Sequence, residues 1–120
     1  MNVIQVASGD HHSLALAKGG QLYAWGDNEF GQLGLGPSIG LKIDVPTHLE
    51  CLNSLPIRSL ASGGSHTFIV SHSGAVYAWG RNNKGQLGLG DTEDRIFPTQ
   101  VRSLRNQKVR SLFKNIFTEL

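Results

Sequence analysis

A single cysteine, Cys51, leaves the 120-residue chain without an internal disulfide, which excludes a small secreted scaffold stapled by bridges. Charged residues make up only 17% of the sequence, too few for a solvated disordered tail or for a helical bundle laced with ion pairs. Neither sign dominates: 11 basic against 9 acidic side chains give a formal charge of +2, which argues neither for nucleic acid nor for an anionic membrane as partner. No stretch approaches the ~18 consecutive apolar residues of a membrane span, and no apolar run follows Met1 in the manner of a signal peptide. These absences predict a soluble protein of a reducing compartment, cytoplasmic or nuclear. A lone domain of this size buries only about two-thirds of its unfolded surface, so a large independent core is not guaranteed. What is abundant is glycine, at 15 residues, as many tight turns between short strands require.

Self-similarity organises the chain. Residues 7–36 align with residues 61–90 at a constant offset of 54, with 16 identical pairs among 30 and no gap. After the glycine-rich end the linkers differ by two residues, and the offset becomes 52: Pro46-Thr47 matches Pro98-Thr99, Leu52 matches Leu104, and Arg58-Ser59-Leu60 matches Arg110-Ser111-Leu112. Length variation of this kind belongs to a surface loop. The repeats divide the chain into residues 1–54, residues 55–106, and a third copy that starts within 107–120 and then diverges.

Short alternating stretches argue for strands. Ser13 to Ala17 and Gln21 to Trp25 flank Lys18-Gly19-Gly20, and Thr67 to Ser71 and Ala75 to Trp79 flank His72-Ser73-Gly74. Both read as hairpins, with glycine supplying the positive φ that a tight two-residue turn needs. Neither face of these strands is polar: Leu14 and Leu16 alternate with Ala15 and Ala17, and Phe68, Ile69 and Val70 repeat the pattern. A sheet apolar on both faces must be covered on both, and stacked blades of a β-propeller supply that cover. The predicted fold is all-β, a partial propeller of two blade-type repeats of short antiparallel strands.

The Ala-Ser-Gly-x-x-His, Tyr-Ala-Trp-Gly and Gly-Gln-Leu-Gly-Leu-Gly elements, each present twice between residues 7 and 90, resemble the regulator-of-chromosome-condensation repeat. Complete members of that family form seven-bladed propellers. The WD repeat fits worse, because glycine follows each tryptophan and the period exceeds that repeat's forty-odd residues. Within the family the wording is most similar to the propeller of the small HERC ubiquitin ligases, which precedes a C-terminal HECT catalytic domain. The resemblance implies a non-catalytic interaction module that recruits partners or substrates to a ligase. Two other readings stay open: part of a nucleotide-exchange propeller that acts on a small GTPase and docks on chromatin, and a structural segment of another scaffold.

Several motifs invite chemistry and read better as structure. The Gly31–Gly36 and Gly85–Gly90 segments are followed by Pro37-Ser38 and Asp91-Thr92, without the lysine of a phosphate loop, and leave a strand instead of opening a helix, so their leucines Leu33, Leu35, Leu87 and Leu89 are expected in the core. His12 and His66 recur one blade apart, which suits a hydrogen-bonded structural histidine and cannot close a tetrahedral metal site. His11, His48 and His72 have no repeat partner and are expected at the surface. Cys51 reads as an inert, at least half-buried thiol, not a nucleophile. Trp25, Trp79, Tyr23 and Tyr77 read as core and not as a stacking platform for bases. The basic run Arg95, Arg102, Arg105, Lys108, Arg110 and Lys114 reads as a solvated face. No catalytic residue, cofactor or metal is expected.

Partner specificity is expected where the copies differ at turns. The candidates are Asp10 and His11, opposite Gly64 and Ser65 of the other copy, and Asp27, Glu29 and Phe30, opposite Arg81, Asn83 and Lys84. Phe30 leads, as an aromatic in a loop whose counterpart is lysine. At the C-terminus Val109, Leu112, Phe113, Ile116, Phe117 and Leu120 fall at three- and four-residue spacings, which predicts a short amphipathic helix over about 107–119 packed on a blade. With so few repeats, stability is expected to depend on further blades or on self-association.

Overall fold

A computed structural model of the chain describes residues 2–37 and 40–102. The predicted C-terminal helix, the third copy and the basic residues beyond Arg102 lie outside the described residues. Among the described residues there are eight strands: β1 (Val3–Ser8), β2 (His12–Ala17), β3 (Leu22–Asp27), β4 (Lys42–His48), β5 (Ile57–Gly63), β6 (His66–Ser71), β7 (Val76–Gly80) and β8 (Arg95–Gln100). They form two four-stranded antiparallel meanders in the orders β1-β2-β3-β4 and β5-β6-β7-β8. The chain is all-β, as the repeat predicts. Even the irregularities are copied: the β3–β4 register slips between Ala24 and Gly26 and the β7–β8 register between Ala78 and Gly80.

The hairpin turns differ from expectation by one residue. The Gly20 amide donates to the Ala17 carbonyl and the Ala17 amide to the Gln21 carbonyl, so the loop holds three residues, and Ser71, Gly74 and Ala75 repeat the pattern. The positive φ therefore falls on the third loop residue, 94° at Gly20 and 91° at Gly74, the geometry of a tight turn followed by a bulge.

Burial explains why the two sheets stay together. Leu14, Ala15, Leu16 and Ala17 are all buried, as are Phe68 and Ile69, so both faces of the central strands are covered. One apolar cluster crosses the junction: Leu14, Leu16, Leu22, Ala24, Leu33, Leu49 and Leu52 of the first blade pack with Ile57, Leu60, Ile69 and Trp79 of the second. Leu33 and Leu87 are fully buried, and Leu35 and Leu89 pack partly buried against their clusters. The outermost strands β4 and β8 carry Pro46 and Pro98, residues that withhold a backbone donor from an open sheet edge and so discourage edge-to-edge pairing.

Two surface expectations are corrected. His48 is half-buried, with its ring 5.4 Å from that of Tyr23, because strand β4 pairs it directly with Tyr23. Cys51 is exposed: the 3-10 turn Glu50–Leu52 spends its inward position on Leu52, which leaves the thiol outside.

Candidate functional site

The junction is fastened by a polar network inside the apolar cluster. The Gln32 carbonyl, in the loop after β3, accepts two hydrogen bonds from the second blade: one from Thr67 Oγ1 at 3.0 Å and one from Trp79 Nε1 at 2.9 Å. His12 Nε2 lies 2.9 Å from Thr67 Oγ1. Since the Thr67 proton is committed to the carbonyl, His12 must donate, which fixes its Nε2–H tautomer. Its Nδ1 is buried without a hydrogen-bond partner. Burial, with a smaller contribution from neighbouring His66, lowers the His12 pKa to about 4, against the opposing pull of Asp10 and Asp27. Burial likewise lowers the pKa of His66.

Further ties flank this network. The Gln5 side chain of β1 accepts from the Leu60 amide at 2.7 Å and donates to the Arg58 carbonyl at 3.2 Å, acting as an extra peptide group along β5. The Asp10 amide donates to the Gly64 carbonyl and the Gly36 amide to the Ile96 carbonyl. Gly34 lies so close to the Trp79 indole that a Cβ there would stand 2.8 Å from Nε1.

The residues expected to bind partners gather at one end of the blades, in the β1–β2 and β3–β4 loops and their counterparts. Asp10, His11, Glu29, Asn83 and Lys84 are exposed, and Asp27, Phe30, Ser65 and Arg81 are half-buried. Backbone bonds hold the loops in register: Asp27 donates to the His11 carbonyl, and Arg81 to the Ser65 carbonyl. Across the junction the Arg81 guanidinium lies 4.4 Å from the centroid of the Phe30 ring, a cation–π contact. Among the expected residues, acidic Asp10, Asp27 and Glu29 lie on the first blade and basic Arg81 and Lys84 on the second, whose β7–β8 loop also carries Asp91, Glu93 and Asp94, so the rim is of mixed charge.

Two loops on this rim, β3–β4 and its counterpart β7–β8, are each built around a buried asparagine. Asn28 Oδ1 accepts from the Leu33 amide and its Nδ2 donates to the Gly40 carbonyl; Asn82 Oδ1 accepts from the Leu87 amide while its Nδ2 reaches Asp91 and the Glu93 carbonyl. Sequence reasoning missed both asparagines, although their identity at the constant offset marked them. It also missed Gln5, whose repeat position holds Ser59. Arg95, first of the basic run, is not a free surface charge: it forms a two-pronged contact with Asp91. The hydrogen bond from Arg95, followed by that from the Glu93 amide, lowers the Asp91 pKa.

The arrangement suits binding more than chemistry. His12 and Thr67 imitate a base and a nucleophile, but the histidine donates to the hydroxyl, the reverse of general-base activation. Although Cys51 is exposed, partial desolvation of its thiol raises its pKa, which disfavours the reactive thiolate. Among the described residues no three His, Cys, Asp or Glu side chains gather as a metal site, and no helix is long and apolar enough to cross a membrane.

Two models of the regulator of chromosome condensation (RCC1) repeat match the chain, one over residues 19–70 and 73–113 and the other over residues 3–32 and 57–86. Probable E3 ubiquitin-protein ligase HERC4 of Homo sapiens is 46% identical over 109 residues, which cover 91% of this chain and 10% of that protein. Probable E3 ubiquitin-protein ligase HERC3 of Homo sapiens is 48% identical over 107 residues, covering 89% and 10%. Among solved structures, Prp20p from Saccharomyces cerevisiae, described with its binding to Gsp1p and histones, superposes with a TM-score of 0.75 at 29% identity, over 86% of this chain and 27% of that one. The chain thus spans about a tenth of the length of these ligases.

Proposed function

The chain belongs to the regulator of chromosome condensation repeat family, and from that premise we propose that it is a non-catalytic protein-binding part of a propeller that recruits partners or substrates to a HECT-type ubiquitin ligase. The observation that carries the reading is the mixed-charge rim around Phe30 and Arg81, where residues that differ between the copies meet at one end of a shared junction. Similarity to HERC4 and HERC3 supports the ligase setting. Acidic and basic side chains interspersed around an aromatic fit a protein partner with its own mixed charges better than a polyanion.

A photo-reactive phenylalanine analogue at position 30, compared with one at exposed His72 on the opposite hairpin, tests this in cells. Protein adducts concentrated at position 30 support it; equal labelling at both positions, or adducts with RNA alone, would refute it. Similarity to Prp20p, described as binding Gsp1p, favours a second reading, part of a nucleotide-exchange propeller. Acceleration of nucleotide release from a small GTPase by the chain would establish that reading instead.

A further inference from the structure

The outward face of the first blade carries a cavity of about 360 Å³ lined by Val6, Ala7, Ser8, Ser13, Leu14 and Trp25. At the offset of 54 these positions are Leu60, Ala61, Ser62, Thr67, Phe68 and Trp79, of which Leu60, Thr67 and Trp79 form the surface into which the Gln32-Leu33 loop is seated at the internal junction. The hydroxyl and the indole that hold the Gln32 carbonyl there are repeated here as Ser13 and Trp25, and neither side chain has a hydrogen-bond partner among the described residues. Val6 is 70% exposed, whereas its equivalent Leu60 is 1% exposed at the junction. Without Gln32 and Leu33, this face is an unfilled socket.

The matching plug is on the same chain. Gly85–Gly90 repeats the Gly31–Gly36 sequence residue for residue and repeats its hydrogen bonds. Leu87 donates to Asn82 Oδ1 as Leu33 does to Asn28 Oδ1, and Lys84 donates to Gln86 Oε1 as Phe30 does to Gln32 Oε1. Gly85 donates to the Asn82 carbonyl as Gly31 does to that of Asn28. The loop is thus preformed in the seated shape, and no described residue holds the Gln86 carbonyl. We propose that a second copy of this chain docks head to tail, its Gly85–Leu89 loop entering the Val6–Trp25 socket so that Ser13 and Trp25 donate to the Gln86 carbonyl. The contact is heterologous and adds copies in series. It is weaker than the internal junction, because Ser59 stands where Gln5 provides the extra tie and Val6 and Ala15 replace the larger Leu60 and Ile69.

Sedimentation velocity of the 120-residue chain between about 1 and about 200 μM, a range in which weak association becomes populated, provides the test. The average mass should rise above 13.0 kDa with concentration. Tryptophan emission should shift to the blue in parallel, a change belonging to Trp25 because Trp79 is already fully buried. Val6→Glu blocks the socket and Leu89→Glu the plug, so each variant alone should stay monomeric. Their mixture retains one good socket and one good plug and should form a heterodimer that grows no further. Leu41→Glu, on another exposed apolar residue, should associate like the parent. If Leu89→Glu fails to fold by circular dichroism, Gly90→Asn replaces it: the equivalent Gly36 abuts the Phe97 ring, while Gly90 faces open space. A parent chain that is monomeric throughout overturns the proposal. So does a mixture that stays monomeric, a Leu89→Glu chain that still dimerises by itself, as a face-to-face contact through Val6 would give, or an association abolished by Leu41→Glu.

Discussion

Replacing Thr67 by valine keeps the volume of a fully buried side chain and deletes one oxygen, so it isolates the polar part of the junction. Two bonds vanish together, His12 Nε2 to Thr67 Oγ1 and Thr67 Oγ1 to the Gln32 carbonyl. The losses are unequal. Gln32 keeps the Trp79 indole as donor, whereas the His12 N–H, on a ring only 3% exposed, has nowhere else to turn. An unpaired buried donor costs about 1–3 kcal/mol, and the weakened carbonyl adds a fraction of that, so Thr67→Val should destabilise the chain by about 2–3 kcal/mol. Thr67→Ser keeps the hydroxyl and loses one buried methyl, which costs about 1 kcal/mol. Urea unfolding followed by circular dichroism separates the two variants through their midpoints. A Thr67→Val chain within about 0.5 kcal/mol of the parent, or a serine variant as unstable as the valine one, would refute the network as a determinant of stability.

Acid should loosen the same junction. The His12 pKa is about 4 when folded against about 6.5 when unfolded, so the unfolded chain binds the proton first. Stability is full above pH ~6.5, falls as pH drops toward 4, and loses up to about 3 kcal/mol from this group; urea midpoints measured across that window should fall accordingly, and less steeply in His12→Gln. Gly34→Ala brings a Cβ to within 2.8 Å of the Trp79 indole at a φ of 70°, and should cost about 2–4 kcal/mol in the same assay. Incubated with a charged ubiquitin-conjugating enzyme, the chain should form no thiol-sensitive ubiquitin adduct on Cys51, since partial desolvation raises the pKa of that exposed thiol; an adduct lost in Cys51→Ser would contradict this.

The blades were legible because the chain states their pattern twice. Leu14 with Ala15, and Phe68 with Ile69, make both faces of a strand apolar, which only stacking can satisfy, and the junction cluster that holds Leu14, Leu16 and Ile69 is that stacking. His12 was legible as structural from its recurrence, and the network supplies the reason. Other features were hidden because they depend on tertiary neighbours. Nothing local in Gln5 announces that its amide will lie against β5, and the key acceptor at Gln32 is a backbone carbonyl, which carries no side-chain signature. Whether Cys51 or Leu52 turned inward was decided by the phase of a three-residue turn, and a shift of one residue there exchanges the core for solvent.

The candidate surface rested on the argument that turn positions differing between the copies escape the demands of the fold. Phe30 and Arg81 qualify that argument. They differ from their counterparts Lys84 and Asp27, yet they hold each other across the junction, so part of their divergence is pairing between blades. Exchanging both for their counterparts would put lysine opposite aspartate, again attractive but without the ring. Gln5, replaced by Ser59 in the second copy, has the same character: it binds one particular neighbour and no other. Divergence between repeats therefore contains two kinds of residue. Some fix which blade follows which, as Gln5 and the Phe30–Arg81 pair do; others, such as exposed Asp10, His11, Glu29, Asn83 and Lys84, have side chains directed to solvent and remain available to a partner. Partner contact at Phe30 is consequently coupled to the junction. A ligand that draws Phe30 away from Arg81 gives up a contact worth about 0.5–1 kcal/mol, whereas one that covers the stacked pair from outside keeps it, and the second mode is the one that favours binding to intact, correctly ordered blades.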